Sequence, residues 1–340
     1  MEALNALQNT YRVSALVIGD VMLDAYLIGQ VNRISPEAPV PIVDVLQRDK
    51  RLGGAANVAK NLIALGAQVQ VAAAIGKDAA GQEIQRLLQS HGIATNALIE
   101  VPNRPTTVKT RVISNGQQLL RVDEEQSSEI EGPWTEKLIA QCKAIMSTQR
   151  IDVVVFEDYD KGTLTPAVID AISLLCRQQG IKTTADPKFR NFDCYRHVDL
   201  FKPNLKEMRE GLGMAIHKEA DASLAKAVQR MHERLEVSIS MVTLSERGVC
   251  FYAPDQAQEF QRIPAFEREI TDVSGAGDAV IAVASVLLAL DVPIWQIAAV
   301  ANLAGGLVCE KVGVVTVEIE RLKSEWETHA DAMAALMKSK

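Results

Sequence analysis

The chain has 340 residues, 48% of them hydrophobic, with 36 basic against 43 acidic side chains and a net charge of −7. That length and apolar content can close a large core, while the acidic balance lacks the basic footprint of a nucleic-acid or anionic-membrane binder. Five dispersed cysteines without a CxxC pair, an N-terminus (MEALNALQNTYR) with no secretory apolar core, and no run near the ~20 apolar residues of a membrane span lead to the expectation of a soluble cytoplasmic protein with free thiols.

In chain order, SALVIGD reads as a buried strand, and GGAANVAKNLIALG as a helix closed by Gly66. QVQVAAAIG is a strand and AAGQEIQRLLQSHG a helix ending on Gly92. Strand IDVVVFED, helix TPAVIDAISLLCRQQG, strand KTTADP, and strand DLFKPN with a helical region behind it continue the alternation. SISMVTLS is a further strand, and GAGDAVIAVASVLLAL and IWQIAAVANLAGGLVCEK are helices. Continuous apolar strands between helices predict an α/β fold, a doubly wound, mostly parallel sheet with helices on both faces. Two segments, 26–53 and 104–125, instead alternate polar and apolar residues, which predicts half-exposed antiparallel strands forming a small β-sheet lid. No linker or repeat marks a boundary, so residues 1–340 read as a single domain with its lid. One apolar face of such a lid needs a cover, which suits a site or a homodimer contact.

The stretch DVSGAGDAV, 272–280, places glycines and a carboxylate where a helix starts. Backbone N–H groups of Gly275, Ala276 and Gly277, aided by the helix dipole, suit a phosphate. Asp278 beside a bound anion would be repelled by it, so a base acting on an attacking hydroxyl fits its position. An acid in an ordinary first helical turn is the other reading. GxxxxGK[ST] and GxGxxG are both absent, which disfavours a P-loop and an NAD-dependent oxidoreductase. The five histidines, His91, His197, His217, His232 and His329, form no HExxH, and no zinc site is expected.

DVSGAGDAV resembles the D-x-x-G-A-G-D signature of the ribokinase, or phosphofructokinase-B, sugar kinases, and GGAANVAKNLIALG resembles that family's N-terminal signature. Further stretches, RISPEAPVP, TTVKTRVISNGQQLLRVDEE, EDYDKGTL, DPKFRNFDCYR and KPNLKEM, are similar to the heptose-7-phosphate kinases within it. The closing segment RLKSEWETHADAMAALMKSK shows no second nucleotide motif, so the stand-alone kinase form is expected. The resemblance implies a ribokinase-like fold. It also implies ATP-dependent phosphorylation of the anomeric hydroxyl of a heptose 7-phosphate, with ATP and Mg²⁺ as cofactors and K⁺ as a candidate. Another sugar kinase of the superfamily and a non-catalytic sugar-sensing relative are the alternatives.

The same resemblance distributes roles. Asp278 becomes the base, and Gly275, Ala276 and Gly277 the phosphoryl cradle. Asn204 and Glu207 lie at ATP, with Glu207 orienting Mg²⁺ through water; a capping Asn and a solvated Glu are the plain alternative. Lys188 could reach the ATP phosphates, Thr243, Ser245 and Gly248 line the nucleotide loop TLSERG, and Asn302 lies near adenine. Asp24 and Asp20 take sugar hydroxyls, and Gly53, Gly54 and Asn57 approach the sugar. The sugar's own phosphate needs cations, for which Arg33, Lys109, Arg111, Arg121 and Lys161 are candidates, Arg111 and Lys161 foremost. Asp272 orders the turn or shapes a cation site. Ser274 and Val314 depart from the usual family residues. The partners expected are a small-molecule sugar phosphate and ATP, with no nucleic acid and no membrane.

Overall fold

Thirteen strands divide between two sheets in the computed structural model, which describes residues 2–216, 221–256 and 258–338. The strands are β1 (Ser14–Gly19), β2 (Val21–Ile34), β3 (Pro41–Gly54), β4 (Gln68–Gly76), β5 (Ala94–Val101), β6 (Val108–Ser114), β7 (Gln117–Glu124), β8 (Val153–Glu157), β9 (Lys182–Asp186), β10 (Leu200–Phe201), β11 (Ile239–Thr243), β12 (Val249–Ala253) and β13 (Gln258–Ile263). The large sheet runs β13-β12-β11-β10-β9-β8-β1-β4-β5. Its strands from β11 to β5 pair in parallel, and β12 and β13 close one edge antiparallel.

The parallel strands are buried on both faces, which explains their unbroken apolar runs: Val153, Val154, Val155 and Phe156 of β8 are all fully buried. One core cluster packs the helices Ala55–Ala64, Ala276–Ala289 and Ile294–Cys309 onto one face. The other packs Gly132–Thr148, Pro166–Gln179 and Asp221–Leu235 onto the opposite face. All five cysteines are free, and four are buried. No helix among the described residues is long and apolar enough to cross a membrane.

The small sheet has the order β3-β2-β6-β7. Its two hairpins are antiparallel as expected, but β2 and β6 join them in parallel, and β2 begins at Val21 rather than at 26. The early start follows from connectivity. β1 passes into β2 through Asp20 alone, and β3 runs into the helix at Ala55, whose N–H donates to Asp20 O at 3.0 Å. Both lid strands therefore spring from one point at the carboxyl end of β1. Register sets Leu27, Val112 and Leu120 side by side on one lid face and Asp24, Lys109 and Asp123 on the other.

Candidate active site

The Ala276–Ala289 helix starts behind Gly275, whose φ of +81° is left-handed and suits glycine. Asp272 fixes the preceding turn: Oδ1 accepts from Ser274 N (3.0 Å) and Oγ (2.8 Å), and Oδ2 accepts from Gly313 N (2.8 Å). The Ala276 N–H turns back to Val273 O at 3.3 Å.

Asp278 lies in the first turn and is 4% exposed. Asn57 Nδ2 donates to its Oδ2 at 2.7 Å, and Tyr159 Oη donates to its Oδ1 at 2.8 Å. Burial pushes its carboxyl above the ordinary aspartate range, against the downward pull of those two hydrogen bonds. Asn57 comes from the helix that follows the lid, and its Oδ1 is buried without a partner. Tyr159 comes from the loop after β8. Replacing it with Phe removes a hydrogen bond to a charged acceptor. We expect the Asp278 carboxyl to move further up, read by NMR titration, because the hydrogen bond that lowers it is gone.

Beneath this corner lies a buried ion pair, Lys202 Nζ to Asp186 Oδ2 at 2.7 Å. A Cβ built on Gly277 would lie 3.6 Å from Asp186 Oδ2 and 3.8 Å from Lys202 Nζ, so the pair sits against the glycine turn. Glu157, opposite Asp186 on β8, is fully buried with both carboxylate oxygens unpartnered. Burial, then Asp186 and Asp278, push its carboxyl well above the ordinary range. Lys188 pairs with Glu207 and lies 5.0 Å from the Tyr159 ring centre. Asn204 and Glu207 form a reciprocal capping box (2.9 and 2.7 Å), so the capping reading of Asn204 holds, but Glu207 is buried rather than solvated. Asn204 also bridges to Thr243 at the end of β11.

From there the turn carries Ser245 (φ +53°) and Gly248 (φ +85°), where a Cβ would strike the Ile263 carbonyl. Asn302 Nδ2 donates to Pro264 O at 2.8 Å and thereby adjoins the same turn.

The sugar candidates lie on the other side of Asp278. Gly53 is required because a Cβ there would overlap the Asp24 carboxylate, and Gly54 (φ +59°) because it abuts the Asp20 carbonyl. Asp24 is paired with Arg111. Asp20, expected beside Asp24 at the sugar, also has a structural task. Its two oxygens accept from the N–H groups of Tyr159, Lys161 and Thr163, each at 2.9 Å, so it braces the loop that delivers Tyr159. Lys109 and Lys161 converge on Glu125, Arg121 pairs with Asp123, and Arg33 pairs distantly with Asp44 at 3.9 Å. His217 lies outside the described residues.

Tyr159, Glu157, Asp186 and Lys202 also surround this corner, and the sequence reading did not name them. They stand in EDYDKG, ADPK and KPN, at the carboxyl ends of β8, β9 and β10, where open α/β sheets place ligands. For Mg²⁺ the donor chemistry fits: the hard carboxylate oxygens of Asp186 and Glu207 flank the corner, with Lys188 and Lys202 tempering their charge. Among the described residues no three His, Cys, Asp or Glu side chains form a metal cage.

The pfkB family carbohydrate kinase pattern matches residues 13–321. The chain belongs to the pfkB family of carbohydrate kinases. This kinase is 41% identical over 310 residues to the bifunctional protein HldE of Wolinella succinogenes, covering 91% of this chain and 64% of that protein. It is 38% identical over 325 residues to HldE of Geobacter metallireducens, covering 95% and 65%. The kinase therefore spans just under two thirds of the length of these relatives. In fold it is similar to Escherichia coli phosphofructokinase-2 in complex with potassium (TM-score 0.74, 17% identity, 93% of this chain and 99% of that one). It is also similar to Arabidopsis thaliana ribokinase complexed with ribose and ATP (TM-score 0.68, 17% identity, 92% and 98%).

Proposed function

We propose that this sugar kinase transfers the γ-phosphoryl group of ATP to the anomeric hydroxyl of D-glycero-β-D-manno-heptose 7-phosphate, yielding the 1,7-bisphosphate and ADP. The observation that carries the chemistry is the buried Asp278 carboxylate, gripped from two sides beside a glycine turn at a helix start. The HldE relatives and the RISPEAPVP stretch support the heptose reading.

In this account Asp278 removes the proton of the anomeric hydroxyl, the freed oxygen bonds to the γ-phosphorus, and the bond to the ADP oxygen breaks. Asn57 and Tyr159 hold the carboxylate in one orientation. With the Ala276 N–H used within the turn, the N–H groups of Gly275 and Gly277 receive the transferring phosphoryl oxygens. Lys188 lies along the phosphates, and Asn204, Thr243, Ser245, Gly248 and Asn302 line the rest of the nucleotide. Bound Mg²⁺ supplies charge neutralisation at the phosphates, and Glu207 would hold it through water. Potassium, named with the E. coli phosphofructokinase-2 structure, is a candidate activator. Asp24, Gly53 and Gly54 define the sugar side, and Lys109, Arg111 and Lys161 take the 7-phosphate. Because Asp278 must be ionised and its pKa is raised, kcat/KM falls with decreasing pH above the ordinary aspartate value of about 4.

Residues 1–340 act in this reading as one kinase domain. The exposed Ile34, Val45, Leu46, Leu119, Leu120 and Val122 of the lid make a second copy its fitting cover, giving a homodimer.

The test is ADP release with Mg-ATP across a panel of sugars and sugar phosphates. Heptose 7-phosphate is expected to lead by at least about 100-fold in kcat/KM, since an unmatched buried charge site discriminates strongly. A lead for ribose or a hexose phosphate replaces the substrate, and ligand binding without turnover removes the catalytic reading altogether.

A further inference from the structure

The two lysines assigned to the sugar's phosphate are already bound to something. Glu125 Oε2 accepts from Lys109 Nζ at 3.0 Å, and its Oε1 accepts from Lys161 Nζ at 2.8 Å. The three side chains are only 14%, 16% and 25% exposed. Lys109 belongs to lid strand β6, whereas Lys161 belongs to the loop braced by Asp20 in the body. The segment beyond Glu125 is tied down by two arginines. Arg104 donates to Ser128 O (2.9 Å), Gln126 O (3.1 Å) and the carbonyl of Lys161 itself, and Arg190 donates to Ser127 O. The segment after Glu125 and the backbone of Lys161 therefore hang on one guanidinium.

Charge is not balanced there. Two ammonium groups face one carboxylate, and the nearby Asp123, 3.1 Å from Lys109, is shared with both donors of Arg121 (2.8 and 2.9 Å). A phosphate monoester carries about −1.5 to −2 at neutral pH, so it neutralises the two lysines better than a carboxylate does. A neutral hydroxyl cannot compete for them. Flexible lysine stems can follow either anion.

We propose that Glu125 is an internal stand-in for the substrate's phosphate. It closes lid to body through Lys109 and Lys161, yields to the incoming phosphate, and returns to displace the product, which still carries that phosphate. Being tethered, it competes at a high effective concentration. This rests on the sugar-phosphate reading above and adds to it a residue that sets residence time, so that unphosphorylated sugars leave the latch closed.

The experiment compares wild type with Glu125→Gln, which keeps shape and removes charge, and with Glu125→Ala as a second probe. Calorimetry with inorganic phosphate, without nucleotide or sugar, is expected to show binding tightened about tenfold in both variants, the combined size of the two partly exposed ion pairs that Glu125 makes to Lys109 and Lys161. In turnover, KM for the sugar phosphate and kcat fall together as product release slows, leaving kcat/KM unchanged or higher. Unchanged or weaker phosphate binding, or a raised KM with unchanged kcat, overturns the proposal and leaves Glu125 a lid-framework residue. The calorimetric arm needs no sugar. If phosphate binding tightens while heptose 7-phosphate fails in the panel, the substrate reading falls and the latch stands.

Discussion

Asp278→Asn is expected to lower kcat by about 10³- to 10⁴-fold while leaving ATP affinity within about twofold, read by ADP release and by nucleotide titration. The size follows from position. The carboxylate is almost fully buried, and its only described hydrogen-bond partners are Asn57 and Tyr159, both donors. An amide in the same place presents its NH₂ toward one of those donors and cannot accept a proton. Fold should survive, because burial disfavours the charge that the substitution removes. If the variant retains a tenth or more of the wild-type rate, Asp278 is a positioning group and the base lies elsewhere.

Lys202→Met is expected to destabilise the protein by about 3–5 kcal/mol in denaturant unfolding, because it leaves a buried carboxylate without its cation. Lys202 is 2% exposed and lies among Asp186, Glu157, Glu207 and Asp278. Burial opposes its charge, yet Asp186, Glu207 and Glu157 hold its ammonium above the usual value. The pH dependence has a definite sign. Lys202 lowers the carboxyls of Glu157, Glu207 and Asp278, all of which nevertheless stand raised in the fold, and its loss raises them further. A raised carboxyl costs stability as pH climbs through its folded value, so the deficit is smallest at acid pH and grows toward neutrality. Adding Asp186→Asn should restore part of the loss, since the pair is then removed as a unit. A Lys202→Met protein as stable as wild type would contradict this account of the Lys202–Asp186 pair.

Most of the main sheet was legible because its central parallel strands are buried on both faces, whereas β5, partly exposed, went unread. QVQVAAAIG coincides with β4, and SALVIGD with β1 plus Asp20. The lid was legible as alternation, but its parallel β2–β6 rung was not. That pairing joins segments far apart in the chain and leaves no local trace. The β12–β13 hairpin and the Gly132–Thr148 helix carry weaker patterns and went unread. At the site, glycine turns announced themselves because only glycine fits Gly53, Gly54 and Gly275. Asp20 reads as a sugar ligand, and its bracketing of three backbone amides left no trace in the sequence. Tyr159, Asp186 and Lys202 were hidden by ordinary residue types: a lysine before Pro-Asn reads as surface until the strands on either side of β10 bury it.

The central claim is that the 275–277 corner clasps the terminal phosphoryl group within reach of Asp278. A crystal structure with a non-hydrolysable ATP analogue, Mg²⁺ and heptose 7-phosphate tests it most directly. The account predicts the γ-phosphate on the Gly275 and Gly277 amides, with the anomeric oxygen within about 2.6–3.2 Å of an Asp278 oxygen. A triphosphate seated away from that turn, or an anomeric carbon pointing away from Asp278, would contradict it.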